Sequence, residues 1–206
     1  MPQYVDLVAF DLGNVLTFVD EIPVAAYIAE RSGLSSQEAH ELVFGQPKKL
    51  VFESGQQTFE QHCEAVVDSL GAGFSVSEIK ELYDSVLTPD PAMFPVVNEV
   101  AASRRIALVS NTSSTHWELA SKFLPFASKL DPVIVSYEVG AMKPDQAFYD
   151  SLLGRSGVPA ENVLFVDDLE KNIAAAANSG MQTHHFVGVD NLISDLSQRE
   201  IIQLSN

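Results

Sequence analysis

The chain has 206 residues and a formal net charge of −16, from 28 acidic and 12 basic side chains. So acidic a surface repels nucleic acid and anionic lipid, which excludes both as partners, and an anionic substrate needs a local cation or a metal ion to draw it in. Hydrophobic residues make up 46%, enough for one packed domain or one core with a small insert, and the single cysteine, Cys63, excludes a disulfide framework or a Cys-rich zinc site.

Val5 to Phe10 is a short apolar run, the pattern of a strand buried on both faces. It ends on a carboxylate, Asp11, and Gly13-Asn14 then permits a sharp turn. Ile22 to Arg31 reads as a helix, with Gly33 placed to end it. Ser35 caps a second helix, Ser36 to Phe44, with Glu38 as its capping-box partner. Gly45-Gln46-Pro47 breaks the chain, and Lys48 to Glu53 adds about a turn. Thr58 caps a helix over Phe59 to Leu70, in which Cys63 reads as core. Ser75 opens another, Val76 to Val86, with Glu78 in the capping-box position. From Thr17 to Thr88 the pattern is helical, with no strand.

Pro91 opens a helix that runs to about Ser103. Ile106 to Ser110 is the second apolar strand, followed by Asn111-Thr112 and a helix from Ser114 to Phe123. Val133 to Ser136 is a third strand. Lys143 precedes Pro144 at the start of a helix that runs to Ser156. Val163 to Val166 is a fourth strand, ending on Asp167-Asp168. A helix over Glu170 to Asn178, a weaker strand over Thr183 to Val187 and a helix over Asn191 to Gln198 complete the chain. Strands alternating with helices predict an α/β fold, a parallel sheet covered on both faces. No apolar run reaches ~18 residues, and Met1 to Asp11 lacks a signal-peptide pattern. The expectation is a cytoplasmic protein without membrane contact, monomer or homodimer, acting on a small molecule.

In a parallel sheet the carboxyl ends of all strands lie on one edge, where ligands bind. Asp11, Ser110 with Asn111 and Thr112, Lys143, and Asp167 with Asp168 would converge there. Each has a plain alternative. Ser110 alone reads as a hydroxyl satisfying a turn, and Lys143 alone as a solvated side chain at a helix start, where the helix dipole disfavours it. Three strand ends carrying carboxylate or hydroxyl, with a lysine among them, read as a site. His116 and Trp117 follow the second strand and are candidates for the cleft mouth. His184 and His185 read as one inward and one outward. Lys48 and Lys49 read as surface charge, or as a means to steer an anion on so acidic a chain.

The order Asp11-Leu-Gly-Asn-Val, Ser110-Asn-Thr, Lys143-Pro, Asp167-Asp168-x-x-x-Asn172 resembles the haloacid dehalogenase superfamily of hydrolases, over nearly the whole chain. The helical stretch resembles the cap of its subclass I. The first motif resembles the glucose-1-phosphate phosphatase-like group, which shares Asp-Leu-Gly-Asn. The resemblance implies a Rossmann-like three-layer fold with strand order 5-4-1-2-3. Residues 1–16 and 89–206 would form the α/β core, and 17–88 a small all-helical cap inserted after the first strand. It further implies a Mg²⁺-dependent phosphomonoesterase with an aspartyl-phosphate intermediate, the substrate being a small phosphorylated metabolite such as a sugar phosphate. Asp11 would be the nucleophile. Asp11, Asp168 and the Gly13 carbonyl would hold Mg²⁺, with Asp167 supporting the metal or its waters. Ser110 and the Asn111 N–H would bind phosphate; His116, by its place after the second motif rather than by the resemblance, would meet substrate at the cleft mouth. Lys143 would neutralise the phosphoryl group and Asp11, and Asn172 would be a supporting polar residue.

One position departs from the pattern. Most phosphatases of the superfamily carry a second Asp, the general acid and base, where this chain has Gly13. Phosphoryl transfer itself needs an in-line nucleophile and positive charge on the equatorial oxygens, and the other motif positions answer to that. Two other classes stay open: a catalytically silent phosphate- or metal-binding protein of the same fold, and a metal-free C–halogen hydrolase. The Asp167-Asp168 pair argues for a metal and against the latter.

Overall fold

The computed structural model describes residues 4–46, 48–71 and 73–203. The expected break at Gly45-Gln46-Pro47 thus rests in part on Pro47, which lies outside the described residues. The chain opens with β1 (Leu7–Phe10) and β2 (Thr17–Val19). Five helices follow: α1 (Ile22–Ser32), α2 (Ser36–Val43), α3 (Lys48–Glu53), α4 (Phe59–Leu70) and α5 (Val76–Ser85). Then come β3 (Leu87–Pro89), α6 (Met93–Ser103), β4 (Arg105–Ser110), α7 (Ser114–Phe123) and β5 (Leu130–Val135). The chain continues through α8 (Ser136–Val139), α9 (Gln146–Ser156), β6 (Val163–Asp167), α10 (Glu170–Asn178), β7 (Gln182–His185) and α11 (Val189–Gln198).

β5-β4-β1-β6-β7 form one parallel sheet. Counted among these five strands alone, the order from the β7 edge reads 5-4-1-2-3; the labels differ because β2 and β3 intervene. Side chains of a strand alternate between faces, and here both faces are buried. Leu7 and Ala9 of β1 face the same layer as Ala107, Val109 and Phe165, against Phe148, Tyr149 and Leu152 of α9. Val8 and Phe10 face the other layer with Leu108, Leu164 and Val166, against α6, α7 and α11. Each large apolar side chain buried this way contributes ~1.5–3 kcal/mol relative to exposure. That is why the buried stretches of the central strands carry no polar residue before their carboxyl ends; β4 has one only at its exposed first position, Arg105.

The helices α1 to α5 close on a core of their own, built from Ile28, Val43, Phe52, Cys63, Val66, Ile79 and Tyr83. Cys63 is buried there, as its place in the helical pattern suggested. The stretch is not wholly helical. β2 and β3 pair antiparallel where the chain leaves the large sheet and returns to it, with Phe18 opposite Thr88. Strands of three residues are too short to show alternation, so the sequence pattern could not reveal them. The Ser35 capping box forms, with Glu38 N donating to Ser35 Oγ at 3.2 Å and Ser35 N to Glu38 Oε2 at 2.9 Å. Ser75 also caps its helix, but Glu78 turns to Arg31 instead of closing the box. No helix among the described residues is long and apolar enough to cross a membrane.

The turn after α3 seats the helical stretch on the sheet domain. Gly55 has φ +77°, and a Cβ added there would lie 2.6 Å from the Tyr137 carbonyl oxygen of α8. Left-handed backbone and a close approach both demand glycine at this position. Gly55→Ala is expected to cost about 1–3 kcal/mol, the scale of a strained backbone position, read as a lower urea midpoint at unchanged slope. Wild-type stability would mean that this turn does not rest on α8 in solution.

Candidate active site

Register brings the polar strand ends into one row. Phe10 pairs with Leu108 on one side and Val166 on the other. The Asp11 N–H continues the ladder to the Val166 carbonyl at 2.9 Å. Asp11, Val109 and Asp167 therefore follow side by side at the carboxyl edge. The turn is made by Asn14, which takes φ 56°, not by Gly13, whose φ is unexceptional.

Lys143 reaches this row from the loop between α8 and α9. Asn111 fixes its backbone from both sides: the Lys143 N–H donates to Asn111 Oδ1 and Asn111 Nδ2 donates to the Lys143 carbonyl, each at 2.8 Å. Lys143 Nζ donates to Asp11 Oδ1 at 2.9 Å, Asp167 Oδ2 at 2.7 Å and the Val109 carbonyl at 3.0 Å. All three ammonium protons are thus satisfied in a side chain 1% exposed. The other Asp167 oxygen accepts from the Leu169 N–H and from Asn172 Nδ2, both at 2.9 Å. Asp11 Oδ1 also accepts from the Leu12 N–H. Among the described residues Asp11 Oδ2 accepts no hydrogen bond, and Asp11 lines the cleft.

Asp168 is half-buried. It accepts from Asn14 Nδ2 at 3.4 Å, and its backbone carbonyl lies 2.9 Å from His185 Nε2. Ligand-capable oxygens of Asp11, Asp167 and Asp168 all lie within 4.8 Å of one another. Burial pushes the Asp11 carboxyl up to about 7; Lys143 opposes the rise, while Asp167 and Asp168 add to it. Burial and Asp167 raise Asp168 as well. For Lys143, burial works against the charge, but Asp11 and Asp167 outweigh it and hold the ammonium protonated. Three carboxylates facing one ammonium form a hard-oxygen donor set with unbalanced negative charge, and this fits a divalent cation of the Mg²⁺ kind.

Two clefts meet above the row. The inner one, about 460 Å³, is lined by Asp11, Gly13, Asn14, Asn172 and Asp168 on the sheet side and by Asp20, Glu21, His40 and Lys49 on the helical side. Ile22 and Leu169 form its rim, 76% and 44% exposed. The outer one, about 840 Å³, has Glu53, Gln56 and Met142 in its wall, and Lys49, Asn111, Lys143 and Leu169 line both.

Of the residues singled out from the sequence, Asp11, Gly13, Asn111, Lys143, Asp168 and Asn172 line the inner cleft, and Asp167 lies beneath it. Ser110 is buried at the end of β4 and lines neither cleft. His116, expected at the mouth, is instead buried against the helical stretch. Its Nε2 lies 3.0 Å from the Tyr83 carbonyl oxygen, and its ring stacks on Tyr83. A side chain at N3 of a helix capped by Ser113 points back along the helix onto what packs there, and here that is α5. His184 is buried against Asp195 and His185 is half-exposed. Lys49, not Lys48, faces the clefts. Glu21 and His40 escaped sequence reading. Glu21 Oε2 lies 2.7 Å from His40 Nε2 and Glu21 Oε1 is 3.0 Å from Lys49 Nζ. Three ordinary polar residues from separate helical segments leave no spacing signal.

A family model for haloacid dehalogenase-like hydrolases matches residues 5–180. The chain belongs to the haloacid dehalogenase-like hydrolases. Among curated relatives of this family, the D-ribitol-5-phosphate phosphatase of Bacteroides thetaiotaomicron is 24% identical over 185 residues, covering 85% of this chain and 89% of that protein. The GMP/IMP nucleotidase YrfG of Escherichia coli is 24% identical over 171 residues, covering 82% and 73%. A HAD family enzyme from Bacteroides thetaiotaomicron, solved in complex with magnesium and inorganic phosphate, superposes with a TM-score of 0.78 at 20% identity, covering 87% of this chain and 93% of that one.

Removing the ammonium would strand two buried carboxylates. Lys143→Met is expected to lower unfolding free energy by about 3–5 kcal/mol, as when one partner of a buried ion pair is lost. Urea unfolding at neutral pH measures it; a loss below about 1 kcal/mol, the range of an exposed pair, would mean that Asp11 and Asp167 do not depend on Lys143.

Proposed function

We propose that this hydrolase is a Mg²⁺-dependent phosphomonoesterase that works through an aspartyl-phosphate formed on Asp11. The observation that carries the reading is the Lys143 ammonium bridging Asp11 Oδ1 and Asp167 Oδ2, with Asp11 Oδ2 left free beside the cleft. A carboxylate fixed through one oxygen presents the other as a positioned nucleophile. Lys143 holds Asp11 in place and offers positive charge to phosphoryl oxygens. Asn111, which lines both clefts at the next strand end, would take a remaining oxygen through its N–H, whereas Ser110, buried and outside both clefts, is given no phosphate contact.

Asp11, Asp168 and the Gly13 carbonyl would hold Mg²⁺, with Asp167 bracing the site through Lys143 and Asn172. When bound, the ion would neutralise the phosphoryl group and the carboxylates around it. A metal-free hydrolase has no use for three clustered carboxylates, which weighs against the C–halogen reading.

Residues 17–88 serve as a helical cap of the subclass I kind over a core of residues 1–16 and 89–206. The cap's Asp20, Glu21, His40 and Lys49 give the inner cleft a wall of hydrogen-bonding groups, and its apolar lining, Val19, Ile22 and Leu169, is aliphatic. Such a wall suits a hydroxylated chain or ring better than a stacked base. A sugar or polyol phosphate is therefore favoured over a nucleotide, in line with the ribitol-5-phosphate phosphatase among the relatives.

Asp11→Asn keeps the shape and removes the attacking charge. Turnover of an aryl phosphate should fall more than ~10³-fold, the scale for an essential group. EDTA should abolish wild-type turnover and Mg²⁺ restore it. Asp168→Ala should lose both activity and Mg²⁺ response, whereas Asp167→Ala should weaken Mg²⁺ binding by roughly 10–100-fold. No turnover across a panel of phosphate esters, by folded protein with Mg²⁺ bound, would leave the silent binding protein as the reading.

A further inference from the structure

We propose that Glu53, at the end of α3, is the general acid and base of the reaction, protonating the leaving ester oxygen and later deprotonating the attacking water. The inference rests on the phosphomonoesterase reading above. Gly13 has no proton to give, and the carboxylates of the row are committed to Lys143 or to a metal. The proton donor must therefore come from another wall of the clefts.

Four titratable groups of the helical stretch other than Lys49 stand there, and three are already engaged. Asp20 Oδ1 accepts from the Ile22 N–H at 3.1 Å, at the start of α1. Glu21 takes His40 on one oxygen and Lys49 on the other. His40 spends its Nε2 on Glu21. Glu53 differs. Its carboxylate accepts no hydrogen bond among the described residues, and Lys49 Nζ stands 3.9 Å away, beyond hydrogen-bond reach. Its side chain is 6% exposed and lines the outer cleft, whose wall continues into Asn111 and Lys143. Gly55, two residues on, is the turn seated on the Tyr137 carbonyl, so the end of α3 that carries Glu53 is held against α8 by backbone packing.

The electrostatics agree with that placement. Burial pushes the Glu53 carboxyl up to about 7; Lys49 opposes this, and Glu21 and Asp11 add to it. A carboxylic acid that titrates near the working pH can both give and take a proton. The other titratable groups on elements packed against α3 are spoken for or exposed: His62 of α4 lies 3.0 Å from the Val43 carbonyl oxygen, and Glu138 of α8 is near Arg155. Tyr83 of α5 also faces Glu53, and burial keeps its phenol protonated.

In the first half-reaction Asp11 Oδ2 bonds to phosphorus as the ester P–O bond breaks. The bonding pair stays on the leaving oxygen, which receives the Glu53 proton and departs as an alcohol. In the second half-reaction the Glu53 carboxylate takes a proton from water as the water oxygen bonds to phosphorus. The P–O bond to Asp11 breaks, its electron pair returns to the carboxylate, phosphate leaves, and Glu53 is protonated again.

The test compares wild type with Glu53→Gln and Glu53→Asp, at saturating Mg²⁺, on p-nitrophenyl phosphate and on alkyl phosphates such as glycerol phosphate. kcat/KM reads the steps through phosphorylation of Asp11. A lost general acid costs roughly 10²–10⁴ where the leaving oxygen needs a proton. Glu53→Gln is therefore expected to lose that factor on alkyl phosphates and less than about tenfold on the aryl ester, whose leaving group departs unprotonated. Glu53→Asp, which keeps the acid on a shorter arm, should fall between. The wild-type profile on alkyl phosphates should decline as pH rises through the Glu53 titration, and the Gln variant should lack that limb. Gly13→Asp in the Gln background should restore part of the alkyl activity, since a Cβ at residue 13 meets only Val19 Cγ2 at 3.4 Å. Equal losses on both ester classes, in variants whose thermal unfolding and Mg²⁺ binding match wild type, would reduce Glu53 to a partner of Lys49 and overturn the proposal. Absence of wild-type turnover on every ester would instead remove the phosphomonoesterase reading beneath it.

Discussion

One ammonium group holds the carboxyl edge of the sheet together. Lys143 Nζ bonds to the ends of three adjacent strands: Asp11 after β1, the Val109 carbonyl of β4 and Asp167 of β6. Burying a lysine costs several kcal/mol unless its charge and all its protons find partners. Here they do, and the converse also holds. Asp167, fully buried, and Asp11, nearly so, have no other cation beside them among the described residues. The groups stabilise one another, so the register of the central strands and the geometry of the cluster support each other.

The helical stretch answers this set with charges of its own. The protein as a whole repels anions, yet Lys143 and Lys49 both line both clefts. Each is bracketed by carboxylates, Lys143 by Asp11 and Asp167, Lys49 by Glu21 and Glu53. The result is a line of alternating charge running from sheet to helices. Low-dielectric walls strengthen such a field relative to the screened exterior. An anion entering would meet two local cations inside the acidic shell of a protein of charge −16.

The sheet and its carboxyl edge were legible because burial on both faces forces continuous apolar runs. The polar residue that ends each run then stands out: Asp11, Ser110, Asp167. The order of motifs along the chain supplied the rest. Legibility failed where geometry depends on how helices pack. His116 follows a motif and reads as a cleft residue, yet its position at N3 of α7 sends it back toward Tyr83. Glu21 and His40 come together only because α1 and α2 pack antiparallel across the Gly33 turn, and no period in the sequence encodes that meeting. The paired strands β2 and β3 were hidden by their length. Gly13 and Asn14 were read together as enabling the turn; Asn14 alone of the two takes the left-handed backbone.

The register of β1 has a consequence for how the protein is made. This strand is central, yet its partners are residues 105–108 and 163–166. At translation rates of 5–20 residues per second, roughly 10–30 s separate its synthesis from that of its last partner. For that interval the pairing of an apolar segment, Leu-Val-Ala-Phe, stays incomplete, in a topology of long-range parallel pairings that closes slowly. Asp6 and Asp11 flank it on either side. Charged residues at the ends of an apolar strand disfavour its pairing with other chains. Asp11 thus guards the nascent strand as an exposed charge, and becomes a buried member of the lysine cluster only once the last third of the sheet has arrived.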